Sequence, residues 1–261
     1  MQSETGRVSV ALVTGAAGGM GRAVARELAK EGKFVALIDK EAKELYELEK
    51  ELCENGWHAA AYPLDICKPS EVEATVETIE QNVGPIDVLV NMAGVMRMGT
   101  VDNLQDDDWD ASFAVNSTGV FNLSRAVSKK MMPRERGSIV TVGSNAANTP
   151  RISLAAYAAS KAAATMFMKC LGLELAKYNI RCNIVSPGST DTDMLRMLWK
   201  DDSDKDVFIK GIPETFRLGI PLGKIANPMD IANTVLFLTS DRANHITMQN
   251  ICVDGGATLG V

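Results

Sequence analysis

Short apolar runs alternate along this chain with longer segments in which apolar residues recur every three or four positions. The short runs are almost continuously apolar, which is typical of parallel strands covered by helices on both faces. They predict strands at Val8–Val13, Phe34–Ile38, Ala59–Pro63, Ile86–Val90, Ser138–Val142, Arg181–Val185 and Ile251–Val253. The longer segments predict helices at Arg22–Glu31, Ala42–Asn55, Ser70–Val83, Trp109–Lys130, Ala155–Lys177 and Pro228–Thr239. This alternation predicts an α/β fold with a doubly wound parallel sheet of about seven strands and right-handed crossovers.

No linker, repeat or low-complexity tract divides residues 1–261, so we predict a single domain. One stretch, residues 190–227, breaks the alternation between the sixth strand and the last helix. It joins an apolar patch, MLRMLW, to a charged run, KDDSDKD, which we interpret as a solvated loop. Connections this long in a compact domain are usually functional or disordered. We therefore predict that the 190–227 segment is a lid over the substrate.

Composition and charge narrow the function classes. A net charge of −6 disfavours nucleic acid as a partner, because binding to phosphates usually needs a basic face. The only histidines, His58 and His245, stand in no metal-ligand pattern, so neither a zinc site nor a Ser-His-Asp triad is expected. No apolar run approaches the roughly 20 residues of a bilayer span, and no secretory leader is apparent. We expect a soluble, cytoplasmic protein without a metal. Its five scattered cysteines are expected to be free thiols in a reducing compartment, most of them buried.

A glycine-rich turn follows the first predicted strand. The segment TGAAGGMG, Thr14–Gly21, leads directly into a predicted helix. Glycines at positions 15, 19 and 21 permit a tight turn and close approach of the backbone to a ligand. The helix N-terminus then offers free N–H groups to a pyrophosphate. Strand, turn and helix in this order predict a dinucleotide-binding site.

An aspartate ends the second predicted strand, in VALIDK. A carboxylate at this place accepts hydrogen bonds from the ribose hydroxyls of the adenosine and repels a 2′-phosphate. With no arginine in the glycine turn, Asp39 favours NAD over NADP. The alternative is that Asp39 only caps the following helix.

Tyr157 and Lys161 stand four positions apart in the alanine-rich segment PRISLAAYAASKAA, which places them on one helix face. Lowering the pKa of a phenol from about 10 to near 7 requires about 4 kcal/mol. A cation about 4 Å away supplies roughly that amount at an effective dielectric constant near 20, although burial opposes it. The pair therefore predicts a tyrosine base assisted by a lysine. Tyrosine and lysine at this spacing are also common on helix surfaces, but the alanines favour burial here.

The TGxxxGxG spacing resembles that of the short-chain dehydrogenase/reductase family, and the resemblance extends over the whole chain. Further matches are NMAG at Asn91–Gly94, SPG at Ser186–Gly188 and the Tyr-x-x-x-Lys pair. Met92 departs from the family, which commonly has a second asparagine there, but the backbone contacts should survive. The resemblance implies a homotetramer, with the tyrosine-bearing helix and the C-terminal segment at its interfaces.

The same resemblance implies a catalytic set of Asn116, Ser144, Tyr157 and Lys161. Ser144 would orient the substrate hydroxyl, and the backbone at Asn116 would hold a water linked to the lysine. Because asparagine is unfavourable inside a helix, a local distortion is expected there. The implied cofactor contacts are Gly15, Gly19, Met20, Gly21, Asp39, Asp65, Ile66, Asn91, Ala93, Gly94, Tyr157, Lys161, Pro187, Gly188, Thr190 and Thr192.

Two arginines near the predicted carboxyl ends of the strands suggest an anionic substrate. Arg97 and Arg151 could each grip a carboxylate through two hydrogen bonds, or could form surface ion pairs. An apolar wall for a flat ring could come from Met96, Met98, Met194 and Met197, or these side chains could belong to the core.

Segments such as GVMRMG, NTPR and HITMQNICVDGGATLG resemble those of the family members that oxidise a carboxylated cyclohexadiene diol, 2,3-dihydro-2,3-dihydroxybenzoate, in catechol siderophore biosynthesis. This resemblance implies NAD-dependent oxidation of that acid, with Ser144, Arg151 and Arg97 facing it. An NAD-dependent dehydrogenase of another cyclic alcohol and a 3-oxoacyl reductase remain alternatives within the class. A non-catalytic NAD-sensing scaffold is the alternative outside it.

Overall fold

A parallel sheet forms the centre of the computed structural model, which describes residues 8–199 and 204–260. The strands are β1 Val10–Thr14, β2 Phe34–Asp39, β3 Ala59–Pro63, β4 Ile86–Asn91, β5 Gly137–Val142, β6 Ile180–Pro187, β7 Gly211–Ile212, β8 Arg217–Leu218 and β9 Asn250–Val253. Seven of them form the sheet, in the order β3-β2-β1-β4-β5-β6-β9, and β7 pairs with β8 in a separate antiparallel hairpin. The predicted doubly wound sheet is confirmed, and all seven of its predicted strands are present.

Helices cover both faces of this sheet. They are α1 Gly19–Lys30, α2 Ala42–Glu54, α3 Pro69–Asn82, α4 Asp106–Phe113, α5 Val120–Met131, α6 Ala155–Leu175, α7 Asp193–Arg196, α8 Asp204–Lys210 and α9 Pro228–Thr239. The apolar faces of α1, α2 and α9 pack on one side of the sheet, and those of α3, α5 and α6 on the other. Because both faces are covered, the strands consist almost entirely of apolar residues.

The chain reverses its direction of winding at β1. This strand pairs with β2 on one side and with β4 on the other, and both pairs are parallel. The connections that leave β1 and β4 therefore turn away from each other and open a crevice at the carboxyl ends of these strands. Ligands of doubly wound sheets bind at such a switch point.

The helix predicted at Trp109–Lys130 differs from the structure in one respect. A π-helical segment, Ala114–Gly119, separates α4 from α5. The expected distortion at Asn116 is therefore confirmed, and it takes the form of a wider helical turn. Single π-turns of this kind occur frequently at functional sites.

The 190–227 segment contains more structure than its sequence pattern predicts. It includes α7, α8 and the β7–β8 hairpin, and buried Phe208, Ile220 and Ile225 form a small apolar cluster with Ala257. Backbone hydrogen bonds join its ends, because Asp191 N–H donates to Ala226 O and Ala226 N–H donates to Ser189 O. Most of the charged run KDDSDKD lies outside the described residues. The role of the segment as a lid stays a prediction.

No helix within residues 8–199 and 204–260 is both long enough and apolar enough for a bilayer crossing. All five cysteines are free, but only Cys182 is buried, while Cys53 and Cys170 are exposed. The expectation that most thiols are buried is therefore wrong, because the helix positions of Cys53 and Cys170 face away from the sheet.

Candidate active site

The glycine turn between β1 and α1 packs tightly against the end of β4. Gly15 has a φ of +64°, and a Cβ on it would lie 2.7 Å from the amide nitrogen of Ala93. A Cβ on Gly21 would lie 2.0 Å from the carbonyl oxygen of Gly15. No side chain fits at either place. Gly18, at the N-cap of α1, provides no side-chain cap, so the first N–H groups of the helix remain available to a ligand.

A cleft opens beside this turn. Many of the residues predicted to contact the cofactor line it, namely Gly15, Gly19, Met20, Gly21, Asp39, Asp65, Ile66, Ala93, Gly94 and Thr192. They come from the ends of β1, β2, β3 and β4 and from the start of the 190–227 segment. The glycine cradle, the open helix end and a carboxylate at the far end fit an adenine dinucleotide.

The carboxylate of Asp39 has two roles in this cleft. Its Oδ2 accepts a hydrogen bond from the amide of Ala17 at 3.0 Å, and its Oδ1 accepts one from the amide of Glu41 at 3.2 Å. The first bond braces the glycine turn, and the second lies at the N-cap of α2. A carboxylate can accept about four hydrogen bonds, so acceptor positions remain for two ribose hydroxyls.

The backbone of the NMAG segment, Asn91–Gly94, is hydrogen-bonded to Thr14 at the end of β1. The hydroxyl oxygen of Thr14 accepts hydrogen bonds from the amides of Met92 at 3.0 Å and Ala93 at 3.2 Å. The methionine in place of the family's second asparagine thus leaves these backbone contacts intact. Asn91 does not line the cleft, because its Nδ2 donates to Ser124 Oγ and Thr141 Oγ1, both at 3.1 Å. The side chain of Asn91 ties the sheet together beneath the site.

A second cleft adjoins the first. Met20, Thr192 and Met194 line both, so the two clefts are continuous. Predicted residues that line the second cleft are Ser144, Arg151, Tyr157, Pro187, Gly188, Thr190 and Thr192. The tyrosine and the serine therefore face a space that continues into the cofactor groove.

Ser144 and Tyr157 line the same cleft. Burial raises the pKa of the Tyr157 phenol, and the interaction of the phenol with Ser144 lowers this pKa in part. The Ser144 Oγ accepts from the amide of Ala146 at 3.1 Å, so its hydroxyl proton is left to donate to another acceptor.

Lys161 lies one turn further along α6 and is buried. Its Nζ donates to the carbonyl oxygen of Val142 at 2.9 Å, and burial lowers the pKa of the lysine to about 8. The sequence argument assigned Lys161 the task of lowering the phenol pKa. Without a bound cofactor, burial has a larger effect on the phenol than the lysine does, and the pKa of Tyr157 is raised. The lysine side chain lines neither cleft; it lies behind Gly94, where a Cβ would approach Nζ to 3.2 Å.

Asn116 fastens the backbone that follows β4. Its Nδ2 donates to Val95 O and its Oδ1 accepts from Val95 N–H, both at 2.9 Å. The same Nδ2 also donates to Ser160 Oγ at 3.0 Å. The side chain therefore joins the π-helical segment, the cleft wall and α6, so an inward-facing asparagine is accommodated here.

The structure separates the two candidate arginines. Arg151 lines the second cleft with Tyr157, whereas Arg97 lines neither cleft and extends into solvent, 3.6 Å from Asp108. Sequence reasoning missed Arg217, which lines the second cleft from β8. No motif or periodic pattern surrounds this residue in the sequence.

Of the four methionines predicted as a possible apolar wall, two line the second cleft and two do not. Met96 and Met194 line the second cleft. Met98 and Met197 are exposed and line neither cleft.

Among the described residues, no group of histidine, cysteine and acidic side chains is arranged to hold a metal ion.

A dinucleotide groove that opens onto a partly buried tyrosine, with a buried serine and a buried lysine beside it, is the arrangement of a nucleotide-dependent oxidoreductase. Residues 9–203 match the family described as short chain dehydrogenase, and the chain belongs to this family.

Curated relatives and a solved structure agree with this assignment. The chain is 59% identical over 252 residues to a 2,3-dihydro-2,3-dihydroxybenzoate dehydrogenase of Bacillus subtilis (strain 168), with 97% of each chain covered. It is 46% identical to the Escherichia coli (strain K12) enzyme of the same name, with 95% of this chain and 96% of that one covered. A gluconate 5-dehydrogenase of Burkholderia cenocepacia J2315, solved with NADP and tartrate, superposes with a TM-score of 0.89 at 32% identity, with 97% and 96% covered.

Proposed function

We propose that this protein oxidises 2,3-dihydro-2,3-dihydroxybenzoate to 2,3-dihydroxybenzoate with NAD, as a step in the biosynthesis of a catechol siderophore. The observation that carries the proposal is that Tyr157, Ser144 and Arg151 line one cleft that continues into the dinucleotide groove. The cleft thus combines a proton acceptor with a cation suited to a carboxylate. The names of the two curated relatives support the same substrate.

The residues of the two clefts have separate roles in binding the cofactor and in moving the proton. The glycine turn and the N-terminus of α1 would hold the pyrophosphate of NAD, and Asp39 would accept hydrogen bonds from its adenosine ribose. A cofactor held there would supply the acceptor for a hydride from a ring carbon and a positive charge beside the site. Ser144 holds the substrate hydroxyl, and the phenol oxygen of Tyr157, once deprotonated, takes the proton of that hydroxyl.

Lys161 supplies a buried cation behind the tyrosine, and Asn116 keeps the backbone at Val95 in place. The oxidised ring is a dienone that tautomerises to the aromatic product. The gain of aromaticity draws the reaction toward 2,3-dihydroxybenzoate, and none of these steps requires a metal.

The decisive experiment measures NADH formation by the purified protein with the dihydrodiol acid, beside a panel of neutral cyclic alcohols and a 3-hydroxyacyl thioester. We expect the acid to have the highest kcat/KM. Equal or better turnover of a neutral cyclic alcohol would favour another dehydrogenase, and turnover of the thioester would favour a 3-oxoacyl reductase. NADH formation with none of them, together with intact NAD binding, would leave a cofactor-sensing scaffold.

We also propose that the 190–227 segment closes over the substrate, that the protein is a homotetramer and that it works in the cytoplasm. Leu195, Leu198 and Arg217 of that segment line the second cleft, which supports the first point. Met166 and Leu173 on α6 are 60% and 70% exposed, and Leu259 near the C-terminus is 74% exposed. Exposed apolar side chains that form a contiguous patch mark an interaction surface, and the tetramer would bury these three together. Light scattering on the purified protein tests the tetramer.

A further inference from the structure

Arg217 lines the second cleft together with Arg151, but from a different element of the fold. It lies on β8, in the hairpin of the 190–227 segment, whereas Arg151 belongs to the loop that precedes α6. Both side chains line the cleft that contains Tyr157 and Ser144. Two guanidinium groups from separate elements therefore face one substrate-sized space.

The guanidinium of Arg217 is held in a defined orientation. Its Nη2 donates to Ser189 Oγ at 2.8 Å, and its Cζ lies 4.3 Å from the centroid of the Phe208 ring. Phe208 is buried in the apolar cluster of the 190–227 segment. Stacking and hydrogen bonding to one nitrogen leave other N–H donors of the planar group free to bind a ligand. Little further conformational entropy is lost when that ligand binds.

The two guanidiniums leave an excess of positive charge in the cleft. Within the described part of the chain, neither Arg151 nor Arg217 forms an ion pair within 4.0 Å. Burial and the charge of Arg151 together lower the pKa of Arg217 to about 10. Asp254 is the carboxylate that acts on Arg151, but Asn145, Thr258 and the amide of Gly256 already donate to it. A bound anion would relieve this repulsion.

We propose that Arg151 and Arg217 together clamp the carboxylate of the substrate, with Arg217 as the specificity-determining residue supplied by the hairpin. The proposal rests on the proposed function and deepens it. A carboxylate accepts parallel hydrogen bonds from guanidinium groups, and a ring that carries it can then present its hydroxyls to Tyr157 and Ser144. The class of ligand selected is a cyclic or aromatic acid with adjacent hydroxyl groups.

The test compares two ligands that differ only in the carboxylate. Dissociation constants of 2,3-dihydroxybenzoate and catechol are measured by calorimetry on the NADH-loaded protein, for the wild type, Arg217→Gln and Arg151→Gln. We expect each substitution to weaken binding of the acid by about 10- to 100-fold, the effect of losing a hydrogen bond between charged groups. Binding of catechol should stay unchanged.

Lys210→Gln is the matched control, because it removes a positive charge from an exposed position beside the same hairpin. It should leave both dissociation constants unchanged. Arg217→Lys keeps the charge but loses the planar fork, so it should lower the preference for the acid less than Arg217→Gln does. This variant also keeps the proposal testable if Arg217→Gln fails to fold.

Three results would overturn the clamp. The first is a wild-type protein that binds the acid and catechol equally well, and the second is an Arg217→Lys variant that weakens both ligands by the same factor. The third is a control variant, Lys210→Gln, that weakens the acid as much as Arg217→Gln does. Failure of the proposed function looks different: the wild type would prefer the acid over catechol but form no NADH from the dihydrodiol acid.

Discussion

The ammonium nitrogen of Lys161 donates a hydrogen bond to the carbonyl oxygen of Val142 at 2.9 Å, at the carboxyl end of β5. This bond fixes a buried cation against the sheet, and within the described residues no carboxylate lies within 4.0 Å of it. A buried charge without a counter-ion lowers stability, so its position here is consistent with a functional role. The cation faces the Gly94 backbone and the base of the site.

The lysine should make stability depend on pH in the alkaline range. Its pKa is lowered by burial from 10.5 to about 8, so the unfolded chain binds more protons between these two pH values. The stability of the wild type should therefore rise by about 3 kcal/mol from this group as the pH increases from 8 to 10.5. Lys161→Met should lack this rise and should abolish turnover.

Urea unfolding of both proteins at pH 7 and pH 10.5 measures the difference. Lys177→Met, at an exposed position, is the control and should follow the wild type at both pH values. A Lys161→Met variant whose stability follows the wild type over this range would show that the lysine is not held as a buried cation.

Replacing Tyr157 by phenylalanine should remove turnover and leave NAD binding near normal. The ring still fills the cleft wall, but no phenol oxygen remains to take the proton. General-base catalysis typically contributes 10²- to 10⁴-fold, and we expect a loss in kcat of about that size. Initial rates and an NAD titration give the two readouts, with exposed Tyr46→Phe as the control. Substantial residual kcat would contradict the assignment of Tyr157.

Asp39→Asn should shift the preference between the two nicotinamide cofactors. The amide oxygen can still accept from Ala17, so the glycine turn should persist, while the negative charge that repels a 2′-phosphate is lost. We expect the ratio of kcat/KM for NADP to that for NAD to rise about tenfold or more. A wild-type enzyme equally efficient with NADP, or a variant that loses both activities equally, would assign Asp39 to the turn alone.

Asn116→Ala should impair both stability and turnover. The substitution leaves the N–H and C=O of Val95 without their side-chain partner, and Ser160 loses a donor. We expect the free energy of unfolding to fall by about 2–4 kcal/mol, because buried polar groups would be left without hydrogen-bond partners. Thermal unfolding and steady-state kinetics measure it, and the exposed Asn103→Ala serves for comparison. A fully active and equally stable variant would argue against this role.

The parts of the fold that could be predicted are those that depend on residues close together in the sequence. Continuous apolar runs predicted each strand of the sheet, and the turn at Thr14–Gly21 is readable because strand, glycines and helix are adjacent in the chain. The pairing of Tyr157 with Lys161 on one helix follows from their spacing. The contacts of Asn116 could not be predicted, because its partners Val95 and Ser160 are 21 and 44 residues away.

The sequence by itself determined the doubly wound sheet, the glycine turn and the placement of Tyr157 and Lys161 on one helix face, because these depend on periodicity and on short spacings. Only the tertiary structure decided that Arg217 and not Arg97 lines the cleft with Arg151. It also decided that Asn91 braces the sheet and that Lys161 bonds to Val142. Such choices depend on which distant segments pack together, and burial then sets the pKa and the partner of each polar group.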